Sequence, residues 1–247
     1  MSTVRVEERG HVCHVIMDRP DRRNAFNAEL IADLHAAFLE VGDTRAVVLS
    51  GEGKSFSAGA DADWMRSSAD LDSSENCADA ERLRSMLNAL NSCPAPTIGV
   101  IQGHAMGGGA GLMACCDIVL SHSQTVFAFS ETKLGLIPSV ISPFVIERIG
   151  TAQARRYFIT GERFTADVAV AIGLAHEISD DLDQALEHVI GEILAGGPEA
   201  VRAAKRLIQE RPSGEATAEL IASVRSTAEA QEGLSAFLEK RPPSWRR

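Results

Sequence analysis

The strongest constraint on the fold is a change of rhythm at Ser139: before it short apolar strands alternate with helices, and after it the pattern is almost wholly helical. That order predicts an α/β core with a helical C-terminal part. Residues 4–8 and 12–18 flank Arg9-Gly10 as a hairpin, which Arg19-Pro20 ends. Asn27 is placed to cap a helix running to Glu40, with Leu30, Leu34, Ala37, Phe38 and Val41 on one face. Residues 45–50 (RAVVLS) and 97–102 read as buried strands, and 117–121 and 126–129 as shorter ones. Residues 67–76 are polar, acidic and without periodicity, which predicts a mobile surface loop ahead of a helix over 78–91. Further helices are expected over 140–149, 152–159, 166–171, 182–195, 198–209, 214–230 and 231–239.

At 247 residues the chain is long enough for one large domain, or a core with a helical appendage. Its formal charge of −10 disfavours nucleic acid as a partner, because phosphate binding needs a basic face. Basic pairs occur only locally, at Arg22-Arg23, Lys240-Arg241 and Arg246-Arg247. A polar, charged N-terminus without an apolar run, and no span-length apolar stretch, lead to the expectation of a cytoplasmic protein that contacts no membrane. Cys13, Cys77, Cys93, Cys115 and Cys116 have neither CxxC nor zinc-like spacing, so reduced, buried thiols are expected, with no disulfide and no metal.

Two loops carry chemistry. Residues 56–61 (FSAGAD) follow a strand, and residues 103–111 (GHAMGGGAG) join a strand to a helix. Glycines let a ligand approach the backbone, and a helix start presents unpaired N–H groups. The glycine cluster is neither a Walker loop nor a dinucleotide fingerprint, and taken singly it also fits a tight helix–strand contact.

In this order the two loops resemble the crotonase (enoyl-CoA hydratase/isomerase) family. The resemblance extends to Asp18-Arg19-Pro20 with Asn24-Ala25-Phe26-Asn27, to Cys116-Asp117-Ile118, to 131–138 (ETKLGLIP), to Leu174-Ala175-His176-Glu177 and to 236–243 (AFLEKRPP). It implies a crotonase-like ββα spiral core over 1–180. Residues 181–247 would be a helical region for trimerisation and completion of the coenzyme A pocket. It further implies an acyl-CoA substrate whose enolate oxygen is held by the N–H groups of Ala60 and Gly108. Ala58, Gly59, Asp61 and Gly107 would line the thioester site, with Arg22 and Arg23 at the nucleotide. Phe237 and Lys240 would reach the adenine and its phosphate from a neighbouring subunit of a homotrimer or dimer of trimers. No separate cofactor is implied, since coenzyme A is part of the substrate.

Hydration needs one group to activate water and one to protonate the α-carbon. Family hydratases often use two glutamates. Glu131 stands at one place, behind the apolar 126–129, where burial would raise its pKa. Gly111 stands at the other, which leaves three readings: a hydratase using Glu131 with another group, a double-bond isomerase, or a non-catalytic acyl-CoA-binding protein. Residues 130–146 resemble hydratases of branched or glutaconyl-type thioesters, which favours hydration. Asp61 is expected to bond its own loop; Asp63, Asp70 and His104 are not assigned to catalysis.

Overall fold

The computed structural model describes residues 2–68 and 71–246. The hairpin forms as β1 (Val4–Arg9) and β2 (Val12–Met17), with Val4 opposite Met17 and Gly10 in the left-handed turn at φ 62°. Its two strands differ in burial. β2 is buried along its length, whereas β1 is the sheet edge and turns charged residues to solvent. Next come α1 (Ala28–Leu39), β3 (Ala46–Gly51), α2 (Ala62–Ser68) and α3 (Ser73–Asn91). They are followed by β4 (Thr97–Ile101), β5 (His104–Met106), α4 (Gly108–Ala114), β6 (Ile118–Ser121) and β7 (Val126–Ala128). The rest comprises α5 (Ser142–Thr160), β8 (Arg163–Thr165), α6 (Ala166–Ala171), β9 (Glu177–Ile178), α7 (Leu182–Ala195), α8 (Pro198–Glu210), α9 (Glu215–Arg225) and α10 (Ala228–Leu238).

A six-stranded sheet runs β1-β2-β3-β4-β6-β9, parallel from β2 onward, and a three-stranded sheet runs β5-β7-β8. From β4 to β7 the chain deposits alternate strands in the two sheets, which winds it into a spiral. α1 starts at Asn27, whose side-chain oxygen accepts the Leu30 N–H at 2.9 Å. Its buried face, Leu30, Ile31, Leu34 and Phe38, packs with Met86, Leu87 and Leu90 of α3. Each such side chain contributes about 1.5–3 kcal/mol by leaving water. α7 covers the other side of the large sheet, where Ala185 joins Val12, Ala46, Val48, Ile98 and Leu120.

The expected loop over 67–76 is corrected. α2 extends through Ser68 and α3 already begins at Ser73, because Asp72 and Glu75 form a reciprocal capping box. Asp70 and Arg247 lie outside the described residues. The expected helix over 214–230 breaks at Ser226, and Thr227 caps α10 by accepting the Ala230 N–H. The expected helices over 140–149 and 152–159 run together as α5, interrupted at Gly150 by a non-helical φ of 73°.

All five cysteines are free, and four are buried, but Cys77 is exposed on α3, against the expectation. Burial pushes the Cys116 thiol up to about 12. That makes it a packing group instead of a nucleophile. Among the described residues no helix is long and apolar enough to cross a membrane, and no group of three or more His, Cys, Asp and Glu could hold a metal ion.

Candidate active site

Two isolated parallel bridges stitch the loops together, Phe26 with Ala60 and Ser57 with Ala105. The Phe26 N–H donates to Gly59 O at 2.7 Å, and the Asp61 N–H donates to Phe26 O at 2.8 Å. That pairing uses the flanking groups and turns the Ala60 N–H to the opposite side. Likewise the Ser57 N–H donates to His104 O, and the Met106 N–H to Ser57 O. The approach is tight, for a Cβ on Gly109 would stand 2.7 Å from Ser57 Cβ. Gly107, at φ 48° and ψ −118°, donates its N–H to Ala128 O and turns the chain into α4. Gly108 is then the first helical residue, with no partner one turn back. Neither the Ala60 N–H nor the Gly108 N–H finds an acceptor among the described residues.

Both residues line one cavity of about 370 Å³, together with Ala58, Gly59, Gly107 and Glu131. Glu131 opens a 3₁₀ turn (Glu131–Leu134) directly after β7 and the fully buried Phe129. Its Oε2 is buried without a hydrogen-bond partner among the described residues. Burial makes the carboxyl costly to ionise and pushes it above its ordinary value of 4.5, against a smaller lowering by a hydrogen bond from its own backbone N–H. The glycine beside it is what makes room, since a Cβ on Gly107 would stand 3.0 Å from Glu131 Oε1.

The place of the second family glutamate is filled. A Cβ on Gly111 would lie 2.2 Å from Ile141 Cγ2 and 2.5 Å from Ile141 Cβ, and Ile141 is 2% exposed. Gly111 therefore admits a side chain of its own protein at that point, not a bulky acyl group.

The remaining sequence candidates separate. Asp61 faces away from the cavity and is latched, accepting from Arg19 Nη2 at 3.0 Å and from the Asp63 N–H at 2.9 Å. Burial works to raise its carboxyl, but these bonds together hold it below the ordinary range. Arg22 pairs with Asp63 at 3.3 Å beside a second depression that shares Trp64 with the cavity. Arg23 is exposed close by, in the left-handed conformation. His104 Nδ1 lies 3.2 Å from Ser55 Oγ, a contact that ties β5 to the loop after β3. Phe237 and Lys240 are exposed at the end of α10, and neither lines the cavity of its own chain.

The sequence reading missed one wall. Trp64 and Met65 of α2 line the cavity, as do Asn76, Asp79, Ala80 and Leu83 of α3. Asp79, Ala80 and Leu83 fall within the helix expected over 78–91, and the Asp72-Ser73-Ser74-Glu75 capping box was the signal that α3 starts early enough to add Asn76.

The sequence model of the enoyl-CoA hydratase/isomerase family matches residues 7–247. An enoyl-CoA hydratase of Shewanella pealeana is 39% identical at a TM-score of 0.93, over 98% of this chain and 96% of that one. AtuE of Pseudomonas aeruginosa is 31% identical at a TM-score of 0.95, over 99% of this chain and all (100%) of its own. The enoyl-CoA hydratase ACTT6 of Alternaria alternata is 33% identical over 206 residues, which are 78% of this chain and 67% of that protein. Paired loops, spiral core and sequence agree: the chain belongs to the enoyl-CoA hydratase/isomerase family, the crotonases.

Proposed function

We propose that this enzyme adds water across the double bond of a 2-enoyl-CoA thioester. The observation that carries the reading is the meeting, in one cavity, of two N–H groups without acceptors and a carboxyl whose buried Oε2 has no hydrogen-bond partner among the described residues. The N–H groups of Ala60 and Gly108 hold the thioester oxygen as it gains charge. Each donor in such a hole is typically worth about 10²–10³ in turnover. Glu131, favoured in its protonated form by burial, delivers the proton to the α-carbon.

The lining narrows the acyl group. Met65, Leu83, Met106, Leu136 and Val140 supply apolar surface, and among the described lining residues there is no Lys, Arg or His. A carboxylated, glutaconyl-type chain would bring its anion toward Asp79 with no cationic side chain among the described lining residues to meet it. The lining therefore supports a neutral chain, branched or straight, over a carboxylated one. Coenzyme A would lie toward Arg22 and Arg23, with Phe237 and Lys240 contributed by another copy of the chain.

One observation favours double-bond isomerisation as the second reading. Ile141 fills the place of the second glutamate, and a single carboxyl can move a proton between two carbons. Incubation with 2-enoyl, 3-enoyl and 3-methylglutaconyl thioesters, following the conjugated absorbance, separates the readings. Hydration bleaches 2-enoyl thioesters, whereas isomerisation creates conjugation from 3-enoyl thioesters. Thioester binding without either change would leave only a non-catalytic acyl-CoA-binding protein.

A further inference from the structure

Hydration needs a base for the water, and the family's usual place for it holds Ile141 against Gly111. Among the described residues that line the cavity, the only carboxylate besides Glu131 is Asp79. Asp79 sits on α3, where Asn76, Asp79, Ala80 and Leu83 fall at i, i+3, i+4 and i+7 and so form one stripe facing the cavity. Its side chain is 16% exposed, against 63% for its ion-pair partner Arg82, and the contact between them is long at 3.4 Å. Asp79 is thus turned inward while Arg82 stays in solvent, and its carboxylate keeps oxygen lone pairs free for a further donor. Asn76 cannot substitute for it: an amide does not titrate, and its Nδ2 is committed to Leu71 O and Asp72 O.

We infer that Asp79 is the second catalytic carboxylate, the general base that takes a proton from the attacking water. The inference rests on the hydratase reading. As the water oxygen bonds to the β-carbon, one water proton passes to Asp79. The π pair moves toward the thioester, and the enolate oxygen is held by the N–H groups of Ala60 and Gly108. Glu131 then gives its proton to the α-carbon. The product has gained one hydroxyl and one hydrogen; Asp79 returns a proton to solvent, and Glu131 recovers one from it. The base has moved from α4 to α3, and that shift explains how Gly111 can coexist with hydration.

The test is Asp79→Asn, with Asp79→Glu beside it, in full-length protein whose fold is checked by circular dichroism. Two rates are read: hydration of a 2-enoyl-CoA, and exchange of the α-hydrogen of a saturated acyl-CoA in deuterated water, which needs only the oxyanion donors and Glu131. The expected result is a fall of hydration by about 10²–10⁴-fold in Asp79→Asn with exchange retained, and partial recovery in Asp79→Glu. A folded Asp79→Asn enzyme that hydrates at the native rate, or that loses exchange and hydration together, overturns the inference alone. A native enzyme that hydrates no 2-enoyl thioester overturns the hydratase reading, and this inference with it.

Discussion

The floor of the acyl cavity and the C-terminal helices are built to opposite standards. Phe56, Ser57, Ala105, Ala110 and Leu112 are all 0% exposed, and the loops around them approach so closely that side chains are excluded at Gly109 and Gly111. In α9 no residue is buried, and in α10 only Ala236 is. Leu234, Phe237 and Leu238 stand 52%, 80% and 78% exposed. α8 is pinned to the core by a buried lysine, with Lys205 Nζ 2.7 Å from Asp117 Oδ2 and donating to Ala95 O at 3.0 Å. Beyond that pin Ile221, Leu234, Phe237 and Leu238 stand exposed on their own chain. The contrast teaches that one chain packs the cavity floor completely, while its C-terminal helices leave large apolar side chains in solvent, the character of a surface that another copy would cover on the proposed reading.

The largest expected effect lies on the floor. Glu131→Gln keeps the shape and removes the titrating proton, so turnover should fall by about 10²–10⁴-fold while thioester binding survives. Stability should move the other way. Because the folded pKa is raised, the native state holds its proton to higher pH than the unfolded chain, and stability is lost as pH rises past 4.5. Glutamine removes that penalty, so the melting temperature should rise at neutral pH and hardly change below pH 4.5. A variant with native turnover, or one less stable at neutral pH, would break the picture of a functional, strained floor.

Next in size is Gly111→Glu. The clash begins at Cβ, 2.2 Å from Ile141, so it cannot be relieved by a flexible tip. Overpacking of a fitted core costs about 1–3 kcal/mol, and adding a buried carboxyl increases the loss. Chemical denaturation should show the drop, and Ile141→Ala in the same chain should return part of it. Full stability in the single variant would show that the floor yields more than its packing implies.

These contrasts also explain what could be read in advance. The hairpin, the Asn27 cap and the two glycine loops were legible because each depends on local chemistry, a turn glycine, a capping oxygen or a backbone approach. The short strands β5, β8 and β9 were not, since they exist only through pairing with distant partners. Asp79 was missed for a related reason. Asp79 lies inside the helix expected over 78–91, but residues 73–80 bury little and show no apolar period, so nothing local marks the face that turns toward the cavity. At Gly111 the sequence shows a missing carboxylate, but that Ile141 fills its place is a tertiary fact.

The smallest expected change in stability is the one that sharpens the comparison most. Phe237 is 80% exposed on α10, so Phe237→Ser removes little that this chain has buried. Substitutions at such surfaces usually stay within about ±0.5 kcal/mol, and the melting curve of the dissociated chain should hardly move. If another copy covers α10, the same change places a hydroxyl where an apolar ring was packed, so the cost appears in assembly. Light scattering should then show loss of the trimer or hexamer, and isothermal titration should show weaker coenzyme A binding in proportion if Phe237 and Lys240 complete the pocket in trans as proposed. Deletion after Leu234 should exaggerate both effects while leaving the floor folded. An enzyme that stays fully assembled and binds coenzyme A unchanged after Phe237→Ser would mean that this face is not the covered one. The exposed residues of α9, Ile221 above all, would then be the next surface to test.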